Sequence, residues 1–274
     1  MTYAIEAAIM FSDKPGDHMN NLAIHTIGDE LEASAAFCRS EGIGIEVTDF
    51  AFPANLDGDM VGRIARIARA VEGIKPVICH GPFYDLVVTS LDPAIVEVAR
   101  LRHRAALAAS REVGAGFYIA HTSFTPMIRN PFYSENWPAR MLDFWLPMAD
   151  EAGRHNIVIC LENIWEPEPD TQAELIAAGG HPHLRASFDN GHVLVFSPHS
   201  SSYWVSVLGE AIAHSHLHDN AGEVDEHKPV GEGIENWPEL LEALGTHAPQ
   251  AILVAESGEL VNNKLSLERL RKLR

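Results

Sequence analysis

Cysteine is scarce in this chain of 274 residues. Cys38, Cys79 and Cys160 lie far apart, and the latter two sit inside apolar runs, KPVICH and NIVICLEN. That excludes a disulfide framework or a CxxC site and leaves the thiols as small core residues. Basic residues are also short, 20 Lys and Arg against 38 Asp and Glu, for a formal charge of -18. A surface of that sign repels a phosphate backbone and argues against nucleic acid as a partner. No apolar run approaches the roughly 20 residues of a membrane span. The opening MTYAIEAAIMF lacks a basic leader and reads as a first strand, not a signal peptide. No GxGxxG follows the first apolar run and no GxxxxGK[ST] occurs, so neither a dinucleotide fingerprint nor a P-loop is present. These absences point to a soluble cytoplasmic protein, and 46% hydrophobic residues supply a full core.

What the sequence does have is a beat. Apolar runs rich in Val and Ile fall at Ala4–Met10, Gly44–Phe50, Pro76–His80, Phe117–His121, Ile157–Glu162, Leu184–Phe188, Ala213–His218 and Ala251–Glu256. Each has strand length and is followed by a helix-periodic segment. Helices are expected near Glu30–Ser40, Asp59–Glu72, Trp137–His155, Thr171–Ala178, Ser202–Ala211, Pro238–Gly245 and Ser266–Lys272. Another follows the third run, where Asp92 before Pro93 gives an N-cap with proline at the first helical position. Along that helix Ile95, Val98, Ala99, Leu101, Ala105 and Ala108 read as an inner stripe. Eight strand and helix pairs in about 250 residues predict an α/β fold, a single (β/α)8 TIM barrel, as one domain over residues 1–274. A doubly wound open sheet is the alternative, without a phosphate motif to support it.

Polar residues fall at one point of that beat. His80, His121, Glu162, Asp189, His216 and Glu256 are each the first strong ligand type at or after an apolar run, spaced 41, 41, 27, 27 and 40 residues apart. In a barrel that spacing brings all six to the C-terminal mouth, where barrel enzymes keep their active sites. In FDNGHV, His192 follows Asp189 by three residues across a glycine, and in VDEH, Asp225 and His227 alternate on one face of an extended segment. The stretch HLHDNAGEVDEHKPVGEG, punctuated by glycine and proline, therefore reads as one wall of a metal site. Mixed imidazole and carboxylate ligation suits divalent zinc, manganese or iron, and nine candidates (Glu162, Asp189, His216, Glu256, His80, His121, His192, Asp225 and His227) exceed what one ion can use. Trp165 could stack on a sugar ring, and Lys228 or Arg129 could meet a phosphate. Glu46 is placed at the mouth with even weight given to a structural role. His218 is expected on the opposite face to His216, and Asp219 and Asn220 to brace the loop. His103, His155, His181, His183, His199, His214 and His247 receive no role.

At GIEVTDF, CHGPFYDL, LEN, FDNGH, HLHDN, DEHKPVGEG and VAES the chain resembles the xylose-isomerase-like barrel superfamily, which includes the class II apurinic endonucleases (endonuclease IV) and the sugar phosphate isomerases and epimerases. The resemblance implies that Glu162, Asp189, His216 and Glu256 form the four-ligand metal site common to the superfamily. It implies that His80, His121, His192, Asp225 and His227 match the further ligands of a three-metal cluster. Two activities follow. In one, a single ion polarises a sugar or sugar phosphate while Glu162 and Glu256 move a proton at the adjacent carbon, and His80, His192, Trp165 and Lys228 bind substrate. In the other, all nine ligands hold two or three ions and the substrate is a phosphoester. The acidic composition and the superfamily's sugar-directed members favour the first, with a small carbohydrate or sugar phosphate as the partner. A third reading is a non-catalytic binding or subunit barrel, from which an eroded ligand set would be expected. A homo-oligomer is compatible with all three.

Overall fold

The computed structural model describes residues 21–273. Within them eight parallel strands close into a barrel: β1 (Leu22–Thr26), β2 (Gly44–Val47), β3 (Val77–His80), β4 (Phe117–His121), β5 (Val158–Glu162), β6 (Leu184–Asp189), β7 (Ile212–Leu217) and β8 (Ile252–Ala255), with β1 paired to both β2 and β8. Among the described residues ten helices wrap it: α1 (Leu31–Glu41), α2 (Pro53–Asp57), α3 (Met60–Val71), α4 (Pro93–Glu112), α5 (Pro131–Gly153), α6 (Asp170–Gly179), α7 (Asn190–Phe196), α8 (Ser201–Leu208), α9 (Trp237–His247) and α10 (Leu260–Leu273). The (β/α)8 fold expected from the sequence is therefore the one observed. One strand is placed differently. The run Ala4–Met10 lies outside the described residues, and the first position in the barrel belongs to LAIHT, a segment too short and too polar in its flanks to stand out.

Side-chain alternation divides the strands into two apolar sets. One, with Leu22, Ile24, Ile45, Val47, Tyr118 and Leu161, packs outward under the helices. The other, with Ala23, Ile78, Phe117, Ile119, Val158, Cys160, Ile252 and Val254, fills the barrel. Continuing that inner parity toward the strand ends gives His25, Glu46, His80, His121, Glu162, Asp189, His216 and Glu256. The inner wall thus changes from aliphatic to ligating within one step of the pleat. A register shift between Ala186 and Ser187 sets Asp189 level with His216 on β7.

The face of α4 that packs inward differs from the one expected. Ala99, His103, Ala106, Leu107, Ala109 and Ser110 are buried, whereas Ile95, Val98, Leu101, Ala105 and Ala108 face solvent. Small residues make up most of that buried face, and His103 is accommodated because its Nδ1 reaches the Tyr118 hydroxyl at 2.9 Å. Of the expected inner stripe only Ala99 is inside. No helix of the described residues is long and apolar enough to cross a membrane.

Candidate metal centre

The mouth gathers all nine residues anticipated as ligands. Glu162, at the end of β5, has 2% of its surface exposed and its two oxygens face different neighbours. Oε1 lies 3.2 Å from His216 Nδ1 and 3.5 Å from His192 Nδ1. Oε2 lies 3.4 Å from His80 Nε2 and 3.6 Å from His121 Nε2. His216 Nδ1 is also 3.2 Å from Glu256 Oε2 and 3.6 Å from Asp189 Oδ2. Further out, Asp225 Oδ2 lies 3.4 Å from His192 Nε2 and 3.0 Å from His227 Nε2. Three of the compact groups with metal-ligand character are His80, His121 and Glu162; Glu162, Asp189 and His216; and His218, Asp225 and His227.

Hydrogen bonding on the far side of each ring decides which nitrogen points inward. His80 Nδ1 meets the Gly81 carbonyl at 2.8 Å, His192 Nδ1 the Asn163 carbonyl at 2.8 Å, and His227 Nδ1 the Glu256 carbonyl at 3.0 Å. His216 Nε2 meets Glu46 Oε1 at 3.0 Å. Each of those acceptors requires an N–H from the ring, so the opposite nitrogen of a neutral imidazole carries a lone pair toward the carboxylates. Lone pairs of nitrogen and oxygen then face one another across the mouth. Glu162 Oε2 and Asp225 Oδ1 are buried without any hydrogen-bond donor among the described residues. A buried carboxylate facing only acceptors is costly unless a cation or proton lies between them. The donor set therefore fits divalent ions of the zinc, manganese or iron type.

In the absence of a cation, protons have to balance the carboxylates. Burial is the largest single influence on His192 and pulls it down, but Asp189, Asp225 and Glu162 together raise it to about 10. His227 rises to about 9 against the same burial, through Glu256 and Asp225. His121 is pushed down to about 3, chiefly by burial. Burial pushes Glu162 and Asp189 upward, yet the surrounding imidazoles hold both well below the ordinary carboxylate range.

The loop wall is built by its own polar groups. Asp219 and Lys228 exchange backbone hydrogen bonds at 2.9 and 2.8 Å, folding the segment between them back over the mouth. The Asp219 carboxylate accepts from Trp237 Nε1 at 2.8 Å and from Gly231 N at 3.0 Å. Asn220 Oδ1 accepts from Gly222 N at 2.8 Å in an Asx turn. Asn163 clamps Asp189 through both backbone groups, at 2.9 and 3.0 Å. His227 sits at φ 50, a left-handed backbone, and its ring stacks on His218 at 4.0 Å.

That stacking corrects one expectation. His218 does not face away: its Nε2 lies 3.2 Å from Asp189 Oδ1. Residues two apart in an extended strand share a face, so His214, His216 and His218 all project inward. His214, given no role from the sequence, bonds Glu46 Oε2 at 2.8 Å and Ser187 Oγ at 2.8 Å. Glu46 is fully buried between the two histidines. His25 was also missed; its Nε2 lies 3.9 Å from Glu256 Oε1. Phe83, from the CHGPF segment, stacks on His121 at 4.4 Å. Two other candidates make no polar contact with the nine. The Lys228 ammonium is held by Glu226 at 2.7 Å, and Trp165 is 44% exposed.

A family-level match to the xylose isomerase-like TIM barrel runs over residues 31–273. The chain belongs to that family. Among solved structures it superposes on the TTHB071 protein from Thermus thermophilus, soaked with ZnCl2, at a TM-score of 0.78 and 23% identity over 92% of this chain and 97% of that one. A D-tagatose 3-epimerase-like protein gives 0.74 and 21% identity over 92% and 96%. A D-psicose 3-epimerase determined in the presence of D-fructose gives 0.71 and 15% over 92% and 97%. These likenesses establish the fold. In sequence it is 27% identical to the uncharacterized protein MJ1311 of Methanocaldococcus jannaschii over 179 residues, 61% of this chain and 59% of that protein.

Proposed function

We propose that this family member is a divalent-metal-dependent phosphoester hydrolase acting on a small sugar phosphate. The observation that carries the reading is the divided role of Glu162. Its Oε1 faces His216, while its buried and unpaired Oε2 faces His80 and His121. Such a carboxylate is placed to be shared between two ligand sets, and with both sets filled neither oxygen would be free to move a proton at a sugar carbon. Glu162, Asp189, His216 and Glu256 would hold one ion, His80, His121 and Glu162 a second, and His192, Asp225 and His227 a third, with His218 beside it. Ions in such sites supply a Lewis acid for phosphoryl oxygens and make water a nucleophile near neutral pH.

The chain's own residues do the rest. The anchored imidazoles keep their donor atoms fixed in number and direction, so little rearrangement is needed on binding. Asp225 and His227, half-exposed at the outer edge, line the side open to a ligand. Trp165 offers an exposed ring to a sugar face. In this reading His80 and His192 serve the ions and not the substrate. The low count of basic residues supports a small substrate over a nucleic acid, and the buried, unpaired cysteines are compatible with a cytoplasmic setting.

A second reading, sugar isomerisation or epimerisation at one ion, is supported by a different observation. Glu162 and Glu256 both approach His216 Nδ1, at 3.2 Å each, as two proton-moving carboxylates around one site would. The epimerases among the structural neighbours have the same fold. The two readings separate on protein reconstituted with zinc or manganese, assayed for phosphate release from sugar phosphates and for solvent deuterium entering ketoses. Phosphate release without deuterium entry, with more than one ion per chain, is the expected result. Deuterium exchange without phosphate release, at one ion per chain, would overturn the hydrolase in favour of the isomerase.

A further inference from the structure

The outer face of α4 carries an apolar seam that nothing among the described residues covers. Leu91, just before the helix, is 74% exposed, Ile95 44%, Val98 52% and Leu101 60%. Ala94, Ala105 and Ala108 are exposed in line with them. The spacing is a heptad: Leu91, Val98 and Ala105 recur every seven residues, and Ala94, Leu101 and Ala108 every seven in the alternate position. That is the pattern of a helix meeting another helix, not of a wetted surface. The barrel-facing residues of α4 are a separate set, headed by Ala99, His103, Ala106 and Ser110, so the seam is not a misplaced core stripe.

We propose that two copies of this chain associate through this seam, α4 against α4 in antiparallel sense, about a two-fold axis passing near Val98 and Leu101. Antiparallel packing sets Val98 of each copy against Leu101 of the other, and the alanines toward the end allow close approach of the backbones. Charge selects the same partner and sense. Glu97 and Arg104 lie seven residues apart on one edge of the seam. In the antiparallel pair each Glu97 meets an Arg104, twice by symmetry. Both are available for this. Among the described residues Glu97 has only Arg100 at 3.5 Å, and Arg104 only Glu151 at 3.8 Å, with all of these but Arg100 well exposed. A parallel pair would need Arg102 across the seam, but that guanidinium is already held by both oxygens of Asp57. At about 1.5 Å per residue, the helix offers a seam of about 30 Å.

The test is sedimentation of the full chain at micromolar concentration, with variants remote from the mouth. The parent should sediment at twice its 30.1 kDa mass. Val98→Glu with Leu101→Glu should give a monomer whose circular dichroism and thermal transition match the parent. Glu97→Arg alone should raise the dimer dissociation constant about tenfold, and adding Arg104→Glu in the same chain should restore it. A monomeric parent would show that the seam serves some other partner and overturn the proposal. So would a dimer indifferent to the two glutamates, or a charge-swapped double variant no tighter than Glu97→Arg.

Discussion

The carboxylate of Glu46 takes the Nε2–H of His216 at 3.0 Å from inside the barrel. Its other oxygen takes His214 Nε2 at 2.8 Å, so one acidic group fixes two rings. Partners behind a ligating histidine set its tautomer and raise its basicity. Glu46→Gln keeps the size but can accept from only one of the two rings and carries no charge. We expect metal affinity to fall about 10- to 100-fold, read by competition with a chelator. Unchanged affinity would mean that packing alone orients His216.

The outer ligand pair can be removed with the inner ones left intact. Asp225→Asn with His227→Ala should lower bound metal by one equivalent per chain, by elemental analysis, and abolish most phosphate release. Glu162, Asp189, His216 and Glu256 are untouched by that change and should retain their ion. Full metal content in the double variant would remove these two residues from the ligand set.

Gly191 lies where a side chain cannot fit. A Cβ there would stand 1.9 Å from His218 Cε1. Gly191→Ala should push His218 away from Asp189 and Asp225, reducing both metal content and thermal stability, the latter by about 1–3 kcal/mol as in overpacked cores. A variant with parental melting and parental metal content would show that the ring can move without cost.

His103 gives the barrel an acid-sensitive element in the layer outside the strands. Burial of this α4 side chain against the aromatic rings of Phe144 and Trp145, with His80 adding a smaller push, lowers its pKa from 6.5 to about 3. Above 6.5 the ring is neutral folded or unfolded. Between 6.5 and about 3 the unfolded chain takes up a proton that the fold refuses, so stability is lost as pH falls through that window. The loss should be on the order of a few kcal/mol. The difference in urea midpoint between the parent and His103→Gln, which cannot charge, should shrink or reverse from pH 7 to pH 4.5. A difference independent of pH would contradict it.

The barrel was legible because its alternation is written in apolar runs, and the first ligand after each run was legible because those runs end in charge. Three parts were harder to see. β1 is LAIHT, only five residues in polar flanks, and it is overshadowed in the sequence by the more apolar Ala4–Met10, which lies outside the described residues. That hid His25. Glu46 and His214 are interior polar groups whose meaning depends on each other across the barrel, 168 residues apart in sequence, and no local pattern announces such a pair. His218 was within reach: HSHLH alternates, and alternation on a strand places every second residue on one face. The α4 stripe shows the complementary difficulty. Heptad spacing identifies an apolar face but not which way it points, and small residues elsewhere on the helix were enough to turn it outward.

The three cysteines have a consequence for how this barrel opens. All are buried, and burial lifts the thiols of Cys38 and Cys79 to about 12 and that of Cys160 higher still. At neutral pH none offers a thiolate to an alkylating reagent while the strands remain closed. Cys79 points from β3 toward the helices and Cys160 from β5 into the interior, so one reports separation of the helical shell and the other rupture of the sheet. Their labelling rates, followed separately by peptide mapping, would distinguish a loosening of the outer layer from complete unravelling.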